Sequence, residues 1–213
     1  MCARYTIKVP GTKLVVHFKA KNREFAFDAF PEIAPTMKAP IVVRDTGENI
    51  LKIMKWGLIP SWAKDPKIGV QCFNARAETV AEKPAFRSAF KSKRCLVPIN
   101  CFYEWRDEAN ESEPVKKKKK KTKYRFENQQ EPIFTLAGLW SAWQPPEGET
   151  IETFTVLTTS PNDFMSSYHN RMPVILTREQ EDLWLDPAFP VEALHNLTKP
   201  AVNDLLSVDR CDS

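Results

Sequence analysis

Proline occurs far more often than glycine in this chain, and that imbalance limits the folds available to it. Seventeen prolines stand against six glycines in 213 residues. Proline fixes its own φ at about −65° and lacks a backbone N–H, so it favours extended connections and interrupts helices and central strands. We therefore expect many short elements joined by fixed, extended segments.

Short β-branched and aromatic runs predict most of those elements as strands. The predicted strands are 2–7, 41–43, 51–54, 94–98, 101–105, a strand pair within 132–143, 153–159 and 171–176. Helices are expected from residue 12, over 84–92, from residue 160, and from an N-cap at Thr177. The region 24–39 contains two prolines and should be extended and loop-like. These elements predict the α+β class: one β-rich domain over 1–213, with a mixed, strongly curved sheet and a few short helices.

Composition is that of a soluble globular protein, with 42% hydrophobic and 27% charged residues. The five cysteines include no close C-x-x-C pair, and no signal-peptide pattern opens the chain. We therefore expect a reducing, intracellular location: cytoplasm or nucleoid in a bacterium, nucleus in a eukaryote. No apolar run reaches the roughly 18 residues of a membrane span. The sequence predicts no cofactor and no metal, and a monomer.

Positive charge is concentrated in the six consecutive lysines Lys116 to Lys121. The formal net charge is +4, and without this block the chain would be close to neutral. Like charges repel, so the block predicts a solvated loop, inserted near 110–124. A loop that steers nucleic acid and a nuclear import signal are alternatives that the sequence leaves open.

The second residue is a cysteine, and removal of Met1 would make Cys2 the amino terminus. A terminal cysteine carries an amine that titrates at about pH 7.7–8.0 and a thiol that titrates at about 8.5, on adjacent carbons. Together they condense with an aldehyde to an imine and close it to a thiazolidine ring. The alternative is that Cys2 starts a strand and is buried as a small hydrophobe.

Three segments place polar side chains where strand patterning expects apolar ones. Asn74, Arg76 and Glu78 alternate and therefore share one face of an extended segment. Glu104 stands among aromatic residues, where burial would raise its pKa. His169 stands just before a predicted strand and is closely followed by an arginine.

Each of these residues also has a purely structural interpretation. Glu104 would then point outward from an edge strand, His169 would satisfy a loop or cap, and Arg76 would pair with Glu104 or Glu78. Of the other histidines, His17 is expected on the polar face of its helix and His195 in a C-terminal loop. Cysteine, asparagine, glutamate and histidine together nevertheless form a set able to perform covalent chemistry on a carbonyl.

Six blocks, taken in order, resemble the signature of the SRAP family, the SOS-response-associated peptidase or abasic-site-processing proteins. They are Met1-Cys2-Ala3-Arg4-Tyr5, Ile33-Ala34-Pro35-Thr36, Trp56-Gly57-Leu58-Ile59-Pro60-Ser61-Trp62, Asn74-Ala75-Arg76-Ala77-Glu78-Thr79, Phe102-Tyr103-Glu104-Trp105 and His169-Asn170-Arg171-Met172-Pro173. The chain departs from the pattern at Ala3, where the family usually has glycine, and in the lysine block. An alanine would be costly there if the backbone needed positive φ or a close approach to DNA.

The resemblance implies a covalent abasic-site sensor that protects single-stranded DNA. Cys2, freed of Met1 by self-processing, would trap the ring-opened aldehyde as a thiazolidine. Asn74 would hold the Cys2 amine or the sugar, Glu104 would act as acid and base on the imine, and His169 would assist ring opening.

The resemblance also implies how DNA is held. Arg4 and Arg76 would contact phosphates beside the lesion. Pro35 and Trp62 would offer apolar surfaces to neighbouring bases, as stacking platforms do in other single-strand binders. Thr158 would hydrogen-bond the backbone near the lesion.

Two other functions remain open at this level. One is an N-terminal-nucleophile cysteine peptidase or amidohydrolase that uses Cys2, Asn74 and His169 on an acyl carbon. The other is a non-enzymatic, basic nucleic-acid-binding module, in which the lysine block and the tryptophans supply affinity and Cys2 is irrelevant.

Overall fold

The computed structural model of the protein describes residues 2–22, 27–107 and 121–211. Strands predominate in these residues, as the sequence predicts. The strands are β1 (Tyr5–Ile7), β2 (Phe30–Ile33), β3 (Lys38–Asp45), β4 (Glu48–Trp56), β5 (Asn74–Arg76), β6 (Arg94–Ile99), β7 (Cys101–Asp107), β8 (Lys121–Asn128), β9 (Phe134–Trp143), β10 (Ile151–Thr159), β11 (Met172–Pro173), β12 (Ile175–Leu176) and β13 (Leu206–Cys211). The helices are α1 (Gly11–His17), α2 (Arg87–Ser92), α3 (Asp163–Ser166) and α4 (Arg178–Leu185), with 3₁₀ segments at Pro66–Gln71 and Val191–Thr198.

The strands form two sheets. One runs in the order β13-β8-β7-β1-β2, and the other contains β10, β4, β3, β6 and β9 as neighbours. Because β9 also pairs with β10, these last five strands close into a barrel-like circuit. The pairing of β10 with β4 is parallel and that of β3 with β4 is antiparallel, so the sheet is mixed. The predicted α+β class with a curved, mixed sheet is confirmed.

Strand β10 changes its neighbouring strands along its length. Its first part pairs with β9 up to Val156 and with β4 at Phe154. Beyond that point, β5 pairs with it in parallel through Thr158, and β11 pairs with it on the antiparallel side. The following strand, β12, returns to β9. The barrel-like circuit is therefore interrupted at the C-terminal end of β10, where the short strands β5 and β11 pair with β10 in place of β4 and β9.

The loop after β4 is anchored by a contact between two glycines. Gly57 has φ +130°, and a Cβ built on it would lie 2.6 Å from the Gly69 carbonyl oxygen. A side chain at this position would clash with backbone, which cannot move away as the end of a flexible side chain can. The contact fixes the two ends of the segment that carries Trp62.

Several predicted elements differ in detail. The region 132–143 is one strand, β9, and not a strand pair. Gly138 at its centre makes room for the Cys95 sulfur, which a Cβ there would approach to 2.8 Å. The region 24–39 includes strand β2, and 171–176 is divided into β11 and β12. Strand β13 and the 3₁₀ segment that contains His195 were not predicted.

The lysine block lies mostly outside the described residues. Strand β8 begins at Lys121, so the C-terminal part of the predicted loop near 110–124 is strand. Its outward residues are charged because that face meets solvent, and the inward Thr122 and Phe126 are buried. No helix within the described residues is long and apolar enough to span a membrane.

Candidate active site

Cys2 is buried at the start of the first sheet, with 1% of its surface exposed. Its backbone carbonyl accepts a hydrogen bond of 2.8 Å from the Asn74 side-chain amide. Burial raises the pKa of its thiol strongly, and the negative charge of Glu104 raises it further. A hydrogen bond from the Arg4 backbone N–H to the sulfur acts in the opposite direction. The thiol is therefore held in a fixed position beside a carboxyl group.

Glu104 points into the protein because β7 alternates its side chains between two faces. Phe102 and Glu104 face inward, whereas Tyr103 and Trp105 face outward and are half-buried. Strand β7 lies between β8 and β1, so the alternative of an outward residue on an edge strand is wrong. Only 3% of Glu104 is exposed, and burial raises its carboxyl pKa to about 7. A carboxyl with this pKa can both donate and accept a proton near neutral pH.

His169 follows helix α3 and faces that carboxyl group. Its Nε2 lies 3.8 Å from Oε2 of Glu104. Its Nδ1 lies 3.0 Å from the backbone nitrogen and 3.1 Å from the carbonyl oxygen of Arg171. Because the backbone N–H is a fixed donor, we assign Nδ1 as its acceptor, which leaves the ring proton on Nε2. Burial lowers the pKa of His169, so the neutral ring is favoured.

The alternation predicted for the segment after residue 73 is present. Asn74 is half-buried and Arg76 exposed, while the alanine between them is buried. The Oδ1 atom of Asn74 is buried and has no hydrogen-bond partner among the described residues. Arg76 forms no ion pair with Glu78 or Glu104 in this part of the chain, so that prediction is wrong. Glu78 instead receives two hydrogen bonds, of 2.7 and 2.8 Å, from Arg171.

Arg171 is a central residue that the sequence did not single out as a site residue. Its guanidinium also donates to the Thr158 carbonyl at 2.7 Å, and its backbone N–H holds His169. It therefore connects the His169 segment with β10 and with the residues after β5. Thr158 itself is 1% exposed, and its hydroxyl lies 3.4 Å from the Ala75 carbonyl. The only signal in the sequence was an arginine two residues after the histidine.

The remaining predicted DNA-binding residues lie nearer the surface. Arg4 has 41% of its side chain exposed and forms an ion pair of 3.4 Å with Glu32. Trp62 is 57% exposed, and its indole N–H donates to the Pro84 carbonyl at 3.3 Å. Pro35 is half-buried and precedes Thr36, a β-branched residue with φ 77°. Such a backbone conformation is strained for threonine, and it fixes the turn that presents Pro35.

The departure at Ala3 has little backbone cost in this fold. Ala3 is not among the described non-glycine residues with positive φ, so it does not need the conformational freedom of the family glycine. No group of three or more His, Cys, Asp or Glu side chains suited to a metal ion was found among the described residues.

Comparisons with known proteins identify the relatives of this chain. The family model for SOS response associated peptidase (SRAP) matches residues 1–212. The abasic site processing protein YoqW of Bacillus subtilis (strain 168) is 40% identical over 189 residues, which are 88% of this chain and 81% of that protein. The abasic site processing protein HMCES of Xenopus tropicalis is 36% identical over 156 residues, covering 67% of this chain and 47% of that longer protein.

A solved structure has the same fold as this chain. The crystal structure of a protein from Bacteroides thetaiotaomicron superposes with a TM-score of 0.87 at 28% identity, covering 99% of this chain and 92% of that one. The sequence blocks, the fold and these relatives agree, and the chain belongs to the SRAP family.

Proposed function

We propose that this protein processes abasic sites by forming a covalent crosslink with them in single-stranded DNA, through Cys2 as the mature amino terminus. The names of the relatives support the substrate class. The observation that carries the chemistry is the buried Glu104 carboxyl, which lies 3.8 Å from His169 and close enough to Cys2 for its charge to act on the thiol. Removal of Met1, by self-processing, precedes the reaction because it frees the amine.

The first chemical step is formation of an imine. The Cys2 amine adds to the aldehyde carbon of the opened deoxyribose, and the resulting carbinolamine loses water. Glu104 in its protonated form donates a proton to the departing hydroxyl, and becomes a carboxylate as the iminium forms. Its pKa of about 7 suits this transfer at neutral pH.

The second step closes the ring. The Cys2 thiol gives its proton to the Glu104 carboxylate, the sulfur bonds to the iminium carbon, and the C=N electron pair returns to nitrogen. Glu104 thereby returns to its protonated form. The product is a saturated thiazolidine that lacks the electron sink needed for β-elimination, so the DNA strand is protected from cleavage.

Asn74 and His169 have supporting roles in this proposal. The buried, unsatisfied Oδ1 of Asn74 provides an acceptor for the Cys2 amine, while its Nδ2 already holds the Cys2 carbonyl. Most abasic deoxyribose is a closed hemiacetal. The neutral His169 carries its proton on the nitrogen that faces the site, and it transfers protons as the sugar opens.

The surface residues predicted from the sequence would place the DNA. Arg4 and Arg76, both with exposed guanidinium groups, contact phosphates on either side of the lesion. Trp62 and Pro35 offer apolar surfaces to neighbouring unstacked bases. Thr158 borders the site through its contacts with β5 and Arg171, near the DNA backbone.

The test compares mature wild-type protein with Cys2→Ser on single-stranded DNA containing one abasic site. We expect a heat-stable adduct on a denaturing gel for wild type and none for Cys2→Ser, with non-covalent binding largely kept. Cys211→Ser, which removes a half-exposed thiol from strand β13, is the matched control and should crosslink normally. An undiminished adduct in Cys2→Ser would contradict the mechanism and favour a binding module. Hydrolysis of peptides without an adduct would favour the peptidase.

Intact mass of the same samples shows whether Met1 is present. A Met1-bearing fraction has no free Cys2 amine and should remain uncrosslinked. A crosslink that retains Met1 would contradict the aminothiol mechanism.

A further inference from the structure

His169 can carry its ring proton on either nitrogen, and the backbone of Arg171 offers a partner to both forms. The Nδ1 atom of His169 lies 3.0 Å from the backbone nitrogen of Arg171 and 3.1 Å from its carbonyl oxygen. The N–H requires a bare Nδ1, whereas the carbonyl would accept from a protonated one. Because the two distances are nearly equal, a small rotation of the Arg171 backbone would exchange one hydrogen bond for the other and change the tautomer.

Only one tautomer suits the proposed reaction. The Nε2 atom of His169 faces Glu104 at 3.8 Å, and Nδ1 faces the Arg171 backbone. With the proton on Nε2, the neutral ring presents a donor to the site. With the proton on Nδ1, it presents a lone pair there instead. The role proposed for His169 in ring opening therefore depends on the backbone conformation at Arg171.

The backbone at Arg171 lies between two regular elements. Helix α3 ends at Ser166 and strand β11 begins at Met172, so the residues between them are held by individual contacts. The His169 N–H donates to the Met165 carbonyl at 2.9 Å, which fixes the start of this turn. Arg171 itself has no strand partner among the described residues. Its backbone therefore needs another anchor.

The side chain of Arg171 supplies that anchor. Its two terminal nitrogens donate to the two carboxylate oxygens of Glu78 at 2.7 and 2.8 Å, and one of them also donates to the Thr158 carbonyl at 2.7 Å. Two parallel hydrogen bonds of this kind fix the orientation of a guanidinium group as well as its position. Only 15% of the Arg171 side chain is exposed. The hydrogen bond from Arg171 lowers the pKa of Glu78, so the carboxylate stays charged at neutral pH.

We propose that Glu78 is a positioning residue, which holds Arg171 in place and thereby keeps the ring proton of His169 on Nε2. This inference rests on the proposed function and adds to it a residue that touches no reacting atom. Without Glu78, a mostly buried guanidinium would lose its counter-charge and turn toward solvent. The Arg171 backbone would follow its side chain, and the donor to Nδ1 would leave its place.

The first experiment determines the tautomer directly and needs no DNA. Two-bond ¹H–¹⁵N spectra of protein labelled with ¹⁵N-histidine distinguish the two neutral ring forms, and the chain has only three histidines. His169→Ala identifies the signal. We expect the proton on Nε2 in wild type and a mixture of both forms in Glu78→Ala. Glu78→Gln keeps one acceptor for the arginine and should give an intermediate mixture.

The second experiment measures capture at saturating protein, so that affinity for DNA does not enter the rate. Glu78→Ala should slow capture of a natural abasic site about 10-fold, the effect of one lost hydrogen bond, and should spare a simple aldehyde that needs no ring opening. In a His169→Ala background the same substitution should have no further effect. A residue that acts through His169 has nothing left to position there.

The matched control is Glu82→Ala. Glu82 is an exposed carboxylate of the same segment and forms no ion pair with the described residues, so its removal should leave the tautomer and both rates unchanged. An unchanged tautomer in Glu78→Ala would overturn the inference, even if the protein lost thermal stability. Equal slowing on both substrates, or an effect that adds to that of His169→Ala, would also overturn it.

The two experiments separate this inference from the proposed function. A wild-type protein that forms no adduct with abasic DNA refutes the proposed function, while the tautomer of His169 still tests the role of Glu78. If the adduct forms and the tautomer in Glu78→Ala is that of wild type, the proposed function stands and the positioning role fails.

Discussion

Two buried carboxylates in this protein have different neighbours. Glu181 on α4 is 8% exposed, and both of its oxygens are paired: Oε1 accepts a hydrogen bond of 2.8 Å from Thr135, and Oε2 lies 3.1 Å from Arg178. Glu104 is 3% exposed and faces a histidine at 3.8 Å. Burial raises the carboxyl pKa in both cases. The partners of Glu181 are a permanent cation and a hydroxyl, whereas the partner of Glu104 can exchange protons.

The two histidines beside these carboxylates show the same contrast. His17, predicted on the polar face of its helix, is half-buried and contacts Arg178. Burial lowers its pKa to about 4, with the arginine charge as the second cause. His169 is also held neutral by burial, but it faces a carboxyl group that titrates near pH 7. Burial lowers the pKa of both histidines and therefore does not by itself distinguish a pair that can exchange protons. The distinguishing feature is the neighbour: Arg178 cannot take a proton from His17, whereas Glu104 can take one from His169.

Glu104→Gln should have the largest effect on the rate of crosslink formation, because it removes the carboxyl group that faces His169. It keeps the shape of the side chain and removes its proton exchange. We expect crosslink formation to slow by about 10²–10⁴-fold, the usual range for general acid–base catalysis. Transfer of a finished adduct to fresh abasic DNA should slow as well. Single-turnover gels measure both rates, and Glu181→Gln is the control that should leave them unchanged.

His169→Ala separates ring opening from imine chemistry. Capture of a natural abasic site should slow by about 10²-fold, the lower end of the range for proton-transfer catalysis. Capture of a simple aldehyde needs no ring opening and should be spared. Competition between the two substrates provides the measurement, with His17→Ala as the unaffected control. Equal loss on both substrates would mean that His169 does not act on ring opening.

Glu181→Ala should affect stability and not the reaction. It leaves the Thr135 hydroxyl and the half-exposed Arg178 without their buried acceptor, so we expect a loss of roughly 1–3 kcal/mol in the free energy of unfolding. Urea denaturation measures it. A crosslinking rate that fell in proportion to Glu104→Gln would abolish the distinction between the two carboxylates.

The pH dependence of stability offers a smaller and subtler test. The pKa of Glu104 is raised from 4.5 to about 7 in the folded protein, so the folded state binds this proton more tightly than the unfolded state. Its contribution to stability is present below pH 4.5 and is lost as pH rises through about 7. Glu104→Gln should therefore be more stable than wild type at pH 8 by roughly 3 kcal/mol, and the gain should vanish near pH 4. Thermal melts at the two pH values decide this, and a gain independent of pH would contradict the assigned pKa.

The sequence predicted local features well and nonlocal ones poorly. The N-cap at Thr177, the strands β3 and β4 and the inward Glu104 were predictable because each depends on neighbours along the chain. The role of Arg171 was not, because it depends on β5 meeting β10. Strand β13 was missed because its outward charged residues hide the alternation.

In the proposed mechanism, the exchange of partners along β10 also determines when Cys2 meets its catalytic neighbours. Asn74, His169 and Cys2 are far apart in the chain and meet only after β5 and β11 have docked onto β10. Pairings between distant segments are slow to form during folding. In the proposed mechanism, a newly made chain freed of Met1 therefore carries an ordinary aminothiol until its barrel closes. Catalysed capture of an aldehyde would then be a property of the folded protein alone.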